Sequence, residues 1–224
     1  MTSDSLIPED IMTSPEPTLF YSPGACSLAS HIALEEAGRP FRTVQILLSK
    51  NEQQHPEFLA VNPRGRVPAL VVDGRLITEN TAILTWIADV TPEAALLPDE
   101  PIARAQAIAQ LAWFSNTPHI YQRARFRPQR FATQEASYED VRANASATYW
   151  AYMQEIDALI GDNRWLMGDD YTVADPYALV FYGWGTSNGM PMTELKNYTR
   201  HKAQLLDRPA VRAVIAREDN PHFR

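Results

Sequence analysis

The stretch Thr18-Leu19-Phe20-Tyr21-Ser22-Pro23-Gly24-Ala25-Cys26-Ser27-Leu28-Ala29 runs from a short β-prone segment, through a Pro-Gly turn, into an apolar-periodic one. Leu28, Ala29, Ile32 and Ala33 share one helical face, and Gly38 and Pro40 stop the helix that they define. Cys26 is therefore expected at the mouth of a helix that follows a strand. Backbone N–H groups and the positive end of the helix dipole favour a thiolate there, and such placement brings a cysteine pKa from about 8.5 to roughly 3.5–7.5. Cys26 is the single cysteine of 224 residues and position 29 is Ala29, so the chain has no resolving thiol of its own. A thiol partner must come from outside. The alternative is an inert cysteine packed in the core, a common fate of free cysteines.

Outward from this stretch, Val44, Ile46 and Leu48 alternate as a second strand, and a short helix carrying Phe58 and Leu59 follows Pro56. Asn62-Pro63-Arg64-Gly65 marks a loop. Ala69 to Val72 and Leu76 to Ile77 flank Asp73-Gly74, the two-residue signal for an antiparallel hairpin. Ile83, Trp86, Ile87 and Val90 recur at helical spacing and complete the order βαβαββα. Thr91 to Pro101 holds three prolines and three acidic residues, which reads as a linker.

Beyond it strand signals vanish. Ala105, Ile108, Ala109 and Ala112 lie on one helical face, as do Val141, Ala145, Thr148, Tyr152, Ile156 and Leu159, and Pro128 is expected to end or kink the first of these helices. Thr172-Val173-Ala174-Asp175 has the pattern of a capping box. The fold class is thus α/β followed by all-α. Its expected parts are a flexible leader over 1–17, an α/β domain over 18–91, a linker over 92–100 and an all-helical domain over 101–224.

A hydrophobic content of 45% suffices for a buried core, and a single cysteine excludes an internal disulfide framework and agrees with a reducing compartment. No long uncharged apolar segment or signal-peptide pattern stands at the start, so a cytoplasmic protein without a membrane partner is expected. The net charge of −7 opposes generic attraction to nucleic acid. No residue cluster has metal-ligand spacing, and no Gly-rich phosphate loop is present.

The run Leu19 to Leu28, the segment Asn62-Pro63-Arg64-Gly65-Arg66-Val67-Pro68-Ala69-Leu70 and Thr78-Glu79-Asn80-Thr81-Ala82-Ile83 together resemble the cytosolic glutathione S-transferases, in detail their cysteine-bearing bacterial beta class. Trp165-Leu166-Met167-Gly168 and Tyr171-Thr172-Val173-Ala174-Asp175 extend the likeness into the helical half. The resemblance implies a thioredoxin-like first domain, a helical-bundle second domain and a homodimer. It also implies glutathione as co-substrate and a small apolar electrophile as its acceptor. In that family the proline matching Pro68 is cis, which leaves the N–H and C=O of Val67 facing outward to pair with the extended tripeptide.

Glu79 and Asn80, at the start of a helix, would take the γ-glutamyl ammonium and carboxylate. Asn80 stands where a serine or another small residue is commoner in the family. His119 matches a histidine facing the glutathione sulfur or is a surface or core residue, Ser27 offers that sulfur a hydroxyl or N–H or caps the helix, and Tyr21 would line the cleft or pack as a strand residue. Cys26, Ser27 and His119 are the expected catalytic set, with Tyr21, Cys26, Val67, Pro68, Glu79, Asn80 and His119 binding glutathione. Trp113, Phe114, Tyr121 and Tyr177 would wall an apolar pocket or pack in the core. His31 reads as structural. The activity implied is glutathione conjugation to apolar electrophiles in detoxification, with thiol-disulfide transfer through Cys26. The rivals are a non-catalytic binding module of the same fold and a glutathione-dependent dehalogenase or isomerase.

Overall fold

Leu19 and Phe20 point to opposite faces of one strand and both are fully buried, so the sheet that contains them must be covered on both sides. The computed structural model describes residues 6–223 and meets this demand. Strand β1 (Thr18–Tyr21) is followed by helix α1 (Ser27–Ala37), β2 (Arg42–Gln45), α2 (Pro56–Val61), β3 (Ala69–Val72), β4 (Arg75–Thr78) and α3 (Asn80–Val90). The sheet order is β2-β1-β3-β4, with β1 parallel to β2 and antiparallel to β3. Gly38 ends α1 at φ 68°, and Asp73 and Gly74 take φ of 48° and 70° in the β3–β4 turn, where the residue pattern placed a hairpin.

One face of the sheet carries Phe20, Val44, Ala69 and Val71, packed with Phe58 of α2 and with Ile7 and Ile11. The expected flexible leader is corrected over its described part. Residues 9–12 form a 3₁₀ turn whose Ile11 is 3% exposed, and the Arg42 guanidinium grips the Asp10 carboxylate through two bonds of 2.8 and 3.0 Å. The polar composition masked two isoleucines spaced to reach an open sheet face. Residues 1–5 of the expected leader lie outside the described residues. The second strand also ends earlier than its alternation suggested, since Leu48 opens a 3₁₀ turn, Leu48–Lys50.

The chain divides into two units between Leu96 and Leu97, inside the expected linker. The helical unit holds α4 (Pro101–Asn116), α5 (Pro118–Phe126), α6 (Tyr138–Ile160), α7 (Ala174–Ser187) and α8 (Lys196–Leu206). It ends at Pro209, where α9 (Pro209–Glu218) begins. The described residues from Ala210 onward belong to the first unit, which corrects an all-helical domain running to the end of the chain.

Three further expectations change. The first break falls at Thr117-Pro118, because a proline lacks an N–H and pushes its predecessor out of the helical region; Thr117 has φ −123° and ψ −84°. The buried face of α4 is Ala107, Leu111 and Phe114, whereas Ala105 and Ala109 are exposed, and that of α6 is Ala145, Tyr149, Met153, Ile156 and Ile160. Runs of alanine do not distinguish one face from another. At α7 the acid half of the expected capping box is present, since Asp175 accepts from the Thr172 N–H at 2.7 Å, while the Thr172 hydroxyl accepts from the Ala174 N–H at 3.3 Å and not from that of Asp175.

Among the described residues no helix is long and apolar enough to cross a membrane. Ile11→Ala is expected to lower the unfolding free energy by about 2–4 kcal/mol, as for other buried isoleucines. A urea midpoint equal to that of the wild type would return residues 6–17 to a free leader.

Candidate active site around Cys26

Four residues of turn lead from β1 to Cys26, and the main-chain groups of Ser22 are closed locally. Ser22 C=O accepts from the Ala25 N–H at 3.0 Å and from the Ser27 hydroxyl at 3.2 Å, and Ser27 Oγ accepts from the Ser22 N–H at 3.1 Å. Cys26 follows as the N-cap residue of α1, 8% exposed. Its thiol donates to the carbonyl of Val67 at 3.6 Å. The Val67–Pro68 peptide is cis, as the resemblance implied. Val67 was expected to offer both its polar groups outward. Its carbonyl instead faces the thiol, while its N–H has no partner among the described residues.

The loop that delivers Val67 is tied by Asn62, which is buried and bridges its own turn. Its Nδ2 donates to Arg66 C=O at 2.8 Å, and its Oδ1 accepts from the Arg64 N–H at 3.2 Å. Gly65 in the same loop has φ 56°, and a Cβ there would meet Gln53 O at 2.8 Å, so only glycine fits.

Asn80 opens α3 and is buried. Its Nδ2 donates to Cys26 C=O at 2.9 Å, and its Oδ1 accepts from the Ser30 hydroxyl at 2.6 Å. The expected direct grip of the Asn80 side chain on a ligand is therefore corrected, because both ends of the amide are used to hold α1. Ser27 is corrected likewise. Its hydroxyl is fully buried and closes the Ser22 turn, so only its main chain is placed to serve a bound sulfur. Tyr21 is a buried strand residue whose ring lies 5.0 Å from that of His31, which removes it from a cleft lining.

Glu79 keeps an exposed carboxylate, 3.2 Å from the Arg64 guanidinium. It adopts φ 70° and ψ 129°, a conformation costly for a residue with a Cβ. That strained residue stands at the positive end of α3, beside the loop carrying Val67.

The sequence reading missed the segment that follows Arg217. His31 Nδ1 donates to Glu218 Oε1 at 2.8 Å, and the Arg217 guanidinium donates to His31 Nε2 at 3.3 Å. Asn220 Nδ2 donates to Glu218 Oε2 at 3.2 Å and its Oδ1 accepts from the His222 N–H at 3.0 Å. The imidazole of His222 donates from Nε2 to Gly24 C=O at 3.0 Å. Burial holds the His222 pKa below the ordinary histidine value, against the opposing pull of the Gly24 carbonyl and Glu218. No local signal links positions 24 and 222.

The glutathione S-transferase N-terminal domain family matches residues 16–89 of this chain. Glutathione S-transferase GstA of Escherichia coli O157:H7 is 34% identical over 203 residues, covering 89% of this chain and 98% of the relative. The chain belongs to the glutathione S-transferase family. A glutathione transferase homologue from Sulfitobacter, solved with bound glutathione, superposes with a TM-score of 0.87 at 33% identity, over 91% of this chain and 99% of that one. A bacterial beta class glutathione S-transferase from Sphingomonas chungbukensis does so with a TM-score of 0.80 at 35% identity, over 90% and 98%.

Of the expected site residues, Cys26, Val67, Pro68, Glu79 and Asn80 lie in the first unit, on the loop and helix ends just described. His119 lies in the helical unit on the first turn of α5, its ring 5.0 Å from Trp184 and 6.4 Å from Phe181. Phe114 and Tyr177, expected in an apolar wall, are buried in the core of that unit with Phe181, while Trp113 and Tyr121 each pack on Tyr152. Among the described residues no group of three or more His, Cys, Asp or Glu side chains could hold a metal ion.

Asn80→Ala removes a donor to a buried carbonyl and the acceptor of the Ser30 hydroxyl, with an expected loss of about 1–3 kcal/mol in urea unfolding. His222 is neutral in the folded state at pH values where the unfolded chain, with an ordinary pKa near 6.5, takes a proton. Acidification through that value therefore destabilises the folded protein. Between pH 7 and 5.5 (roughly the titration range of an ordinary histidine), the melting temperature should fall further for the wild type than for His222→Gln. Equal falls would remove His222 from the acid response.

Proposed function

We infer that this protein is a glutathione transferase of the beta-class kind, which joins the sulfur of glutathione to small apolar electrophiles and also exchanges disulfides through Cys26. The observation that carries the reading is the pairing of Cys26 with Val67. The thiol stands 3.6 Å from the carbonyl that precedes a cis-proline, and the adjacent Val67 N–H is open to an extended peptide. Glutathione laid along Val67 would bring its cysteine towards Cys26. Glu79, at the positive end of α3, supplies a carboxylate for the γ-glutamyl ammonium, and the α3 N-terminus suits the γ-glutamyl carboxylate. The glutathione bound in the Sulfitobacter relative supports this choice of ligand.

The two reactions use different sulfurs. In conjugation the glutathione thiolate attacks the electrophile and expels its leaving group, forming a thioether. In exchange the Cys26 thiolate attacks a glutathione mixed disulfide, releases the other thiolate and becomes glutathionylated; a second glutathione thiolate then attacks that bond, leaving oxidised glutathione and free Cys26. No further protein cysteine is needed, in keeping with the single cysteine of the chain. His119 is the proposed donor to the glutathione sulfur. A cytoplasmic homodimer acting in detoxification completes the reading.

Calorimetric titration with glutathione should show binding, and Cys26→Ala should abolish disulfide exchange while leaving most conjugation of a chlorodinitrobenzene electrophile. Equal loss of both reactions would overturn the division of roles. Binding without turnover of any electrophile would favour a non-catalytic module of the same fold.

A further inference from the structure

Cys26 is held from two sides by one distant segment. Before it, the turn Ser22–Ala25 has its Ser22 carbonyl closed internally, whereas the Gly24 carbonyl is taken by His222 Nε2 at 3.0 Å. Behind it, one and a half turns along α1, His31 is fully buried between Glu218 and Arg217. Asn220 joins the two grips, bonding the Glu218 carboxylate with its amide and the His222 N–H with its carbonyl. The fit at the turn is steric as well as polar. Gly24 has φ 73°, and a Cβ there would lie 2.8 Å from His222 Nε2 and 3.0 Å from Pro221 Cγ. Glycine is thus required both by the backbone and by the imidazole seated on it.

We propose that His222 is a positioning residue for the Cys26 thiol, acting by pinning the Gly24 carbonyl and with it the turn that aims Cys26 at Val67. The proposal rests on the reading of Cys26 as the reactive thiol. The Gly24–Ala25 peptide is separated from the Cys26 N–H by a single residue, so rotating it re-aims the start of α1. Without the His222 bond the Gly24–Ala25 peptide is less tightly held, and the thiol moves out of its shielded place opposite the Val67 carbonyl. His31 and Glu218 hold the helix behind, so the release is confined to the turn.

Because the chain has one cysteine, iodoacetamide reports on Cys26 alone, without glutathione. His222→Ala is expected to change the second-order alkylation rate at fixed pH upward by about fivefold, the equivalent of one typical hydrogen bond. His222→Gln should restore the wild-type rate, since a glutamine Nε2 lies the same number of bonds from the backbone as the imidazole Nε2. His222→Asn, one carbon shorter, should behave as alanine. Melting temperatures of all four proteins separate global destabilisation from local release.

A wild-type alkylation rate in His222→Ala, whatever its melting temperature, overturns the proposal. If the alanine variant does not fold, equal rates for the Asn and Gln variants do so instead. Calorimetry with glutathione on the wild type tests the ligand reading separately. A protein that takes up no glutathione, yet shows the His222 dependence, keeps the positioning and loses the ligand.

Discussion

A helix that begins at a buried free thiol must have its first peptide groups satisfied without covering the sulfur. The Cys26 carbonyl accepts the Ala29 N–H at 3.3 Å within the turn, and the second donor it needs in a buried place comes from Asn80 on α3. The same amide takes the Ser30 hydroxyl, so α1 and α3 are locked together at the end where Cys26 stands. The Ser22 and Ser27 bonds close the turn in front. These contacts occupy the side chains of Asn80, Ser30 and Ser27, and the thiol itself donates to the Val67 carbonyl. The Asn80 side chain thus supports α1, and in the proposed function the ligand would meet the α3 N-terminus and Glu79.

The constraint extends to the far end of the first unit. A buried imidazole such as His31 requires partners for both its nitrogens, and Glu218 and Arg217 provide them. Bringing α9 to that place sets Asn220 and His222 down on the Gly24 turn. The glycine at 24, readable in sequence only as a turn former, therefore answers to an imidazole 198 residues away. The leader shows the same logic on the other sheet face, where Ile7 and Ile11 cover apolar strand residues that α2 alone leaves open.

Legibility followed the range of the interaction. The order of strands and helices, the hairpin at Asp73-Gly74, the stop at Gly38 and the cap at Thr172 were all readable, because each depends on residues within a few positions of one another. The buried face of α4 was misread because alanine is compatible with either face, and the break at Pro118 was placed at Pro128 although both prolines carry the same local signal. Around Cys26, the motif residues Val67, Pro68, Glu79 and Asn80 were named in advance. The tasks of Asn80 and Ser27 were not, since a side chain's partner is chosen by what folds against it, whereas the packed strand role of Tyr21 was one of its two readings.

By itself, the chain determined a thiol at a helix start, a βαβαββα half, a helical half and a cysteine without an internal partner, for these follow from local conformational preference and residue identity. Tertiary structure alone decided that the Val67 carbonyl faces the thiol, that Asn80 supports α1, and that residues 210–223 and the described leader complete the first unit. Hydrogen bonds and apolar burial at long sequence separation leave no periodic or local trace, so they become visible only when the folded chain brings their partners together.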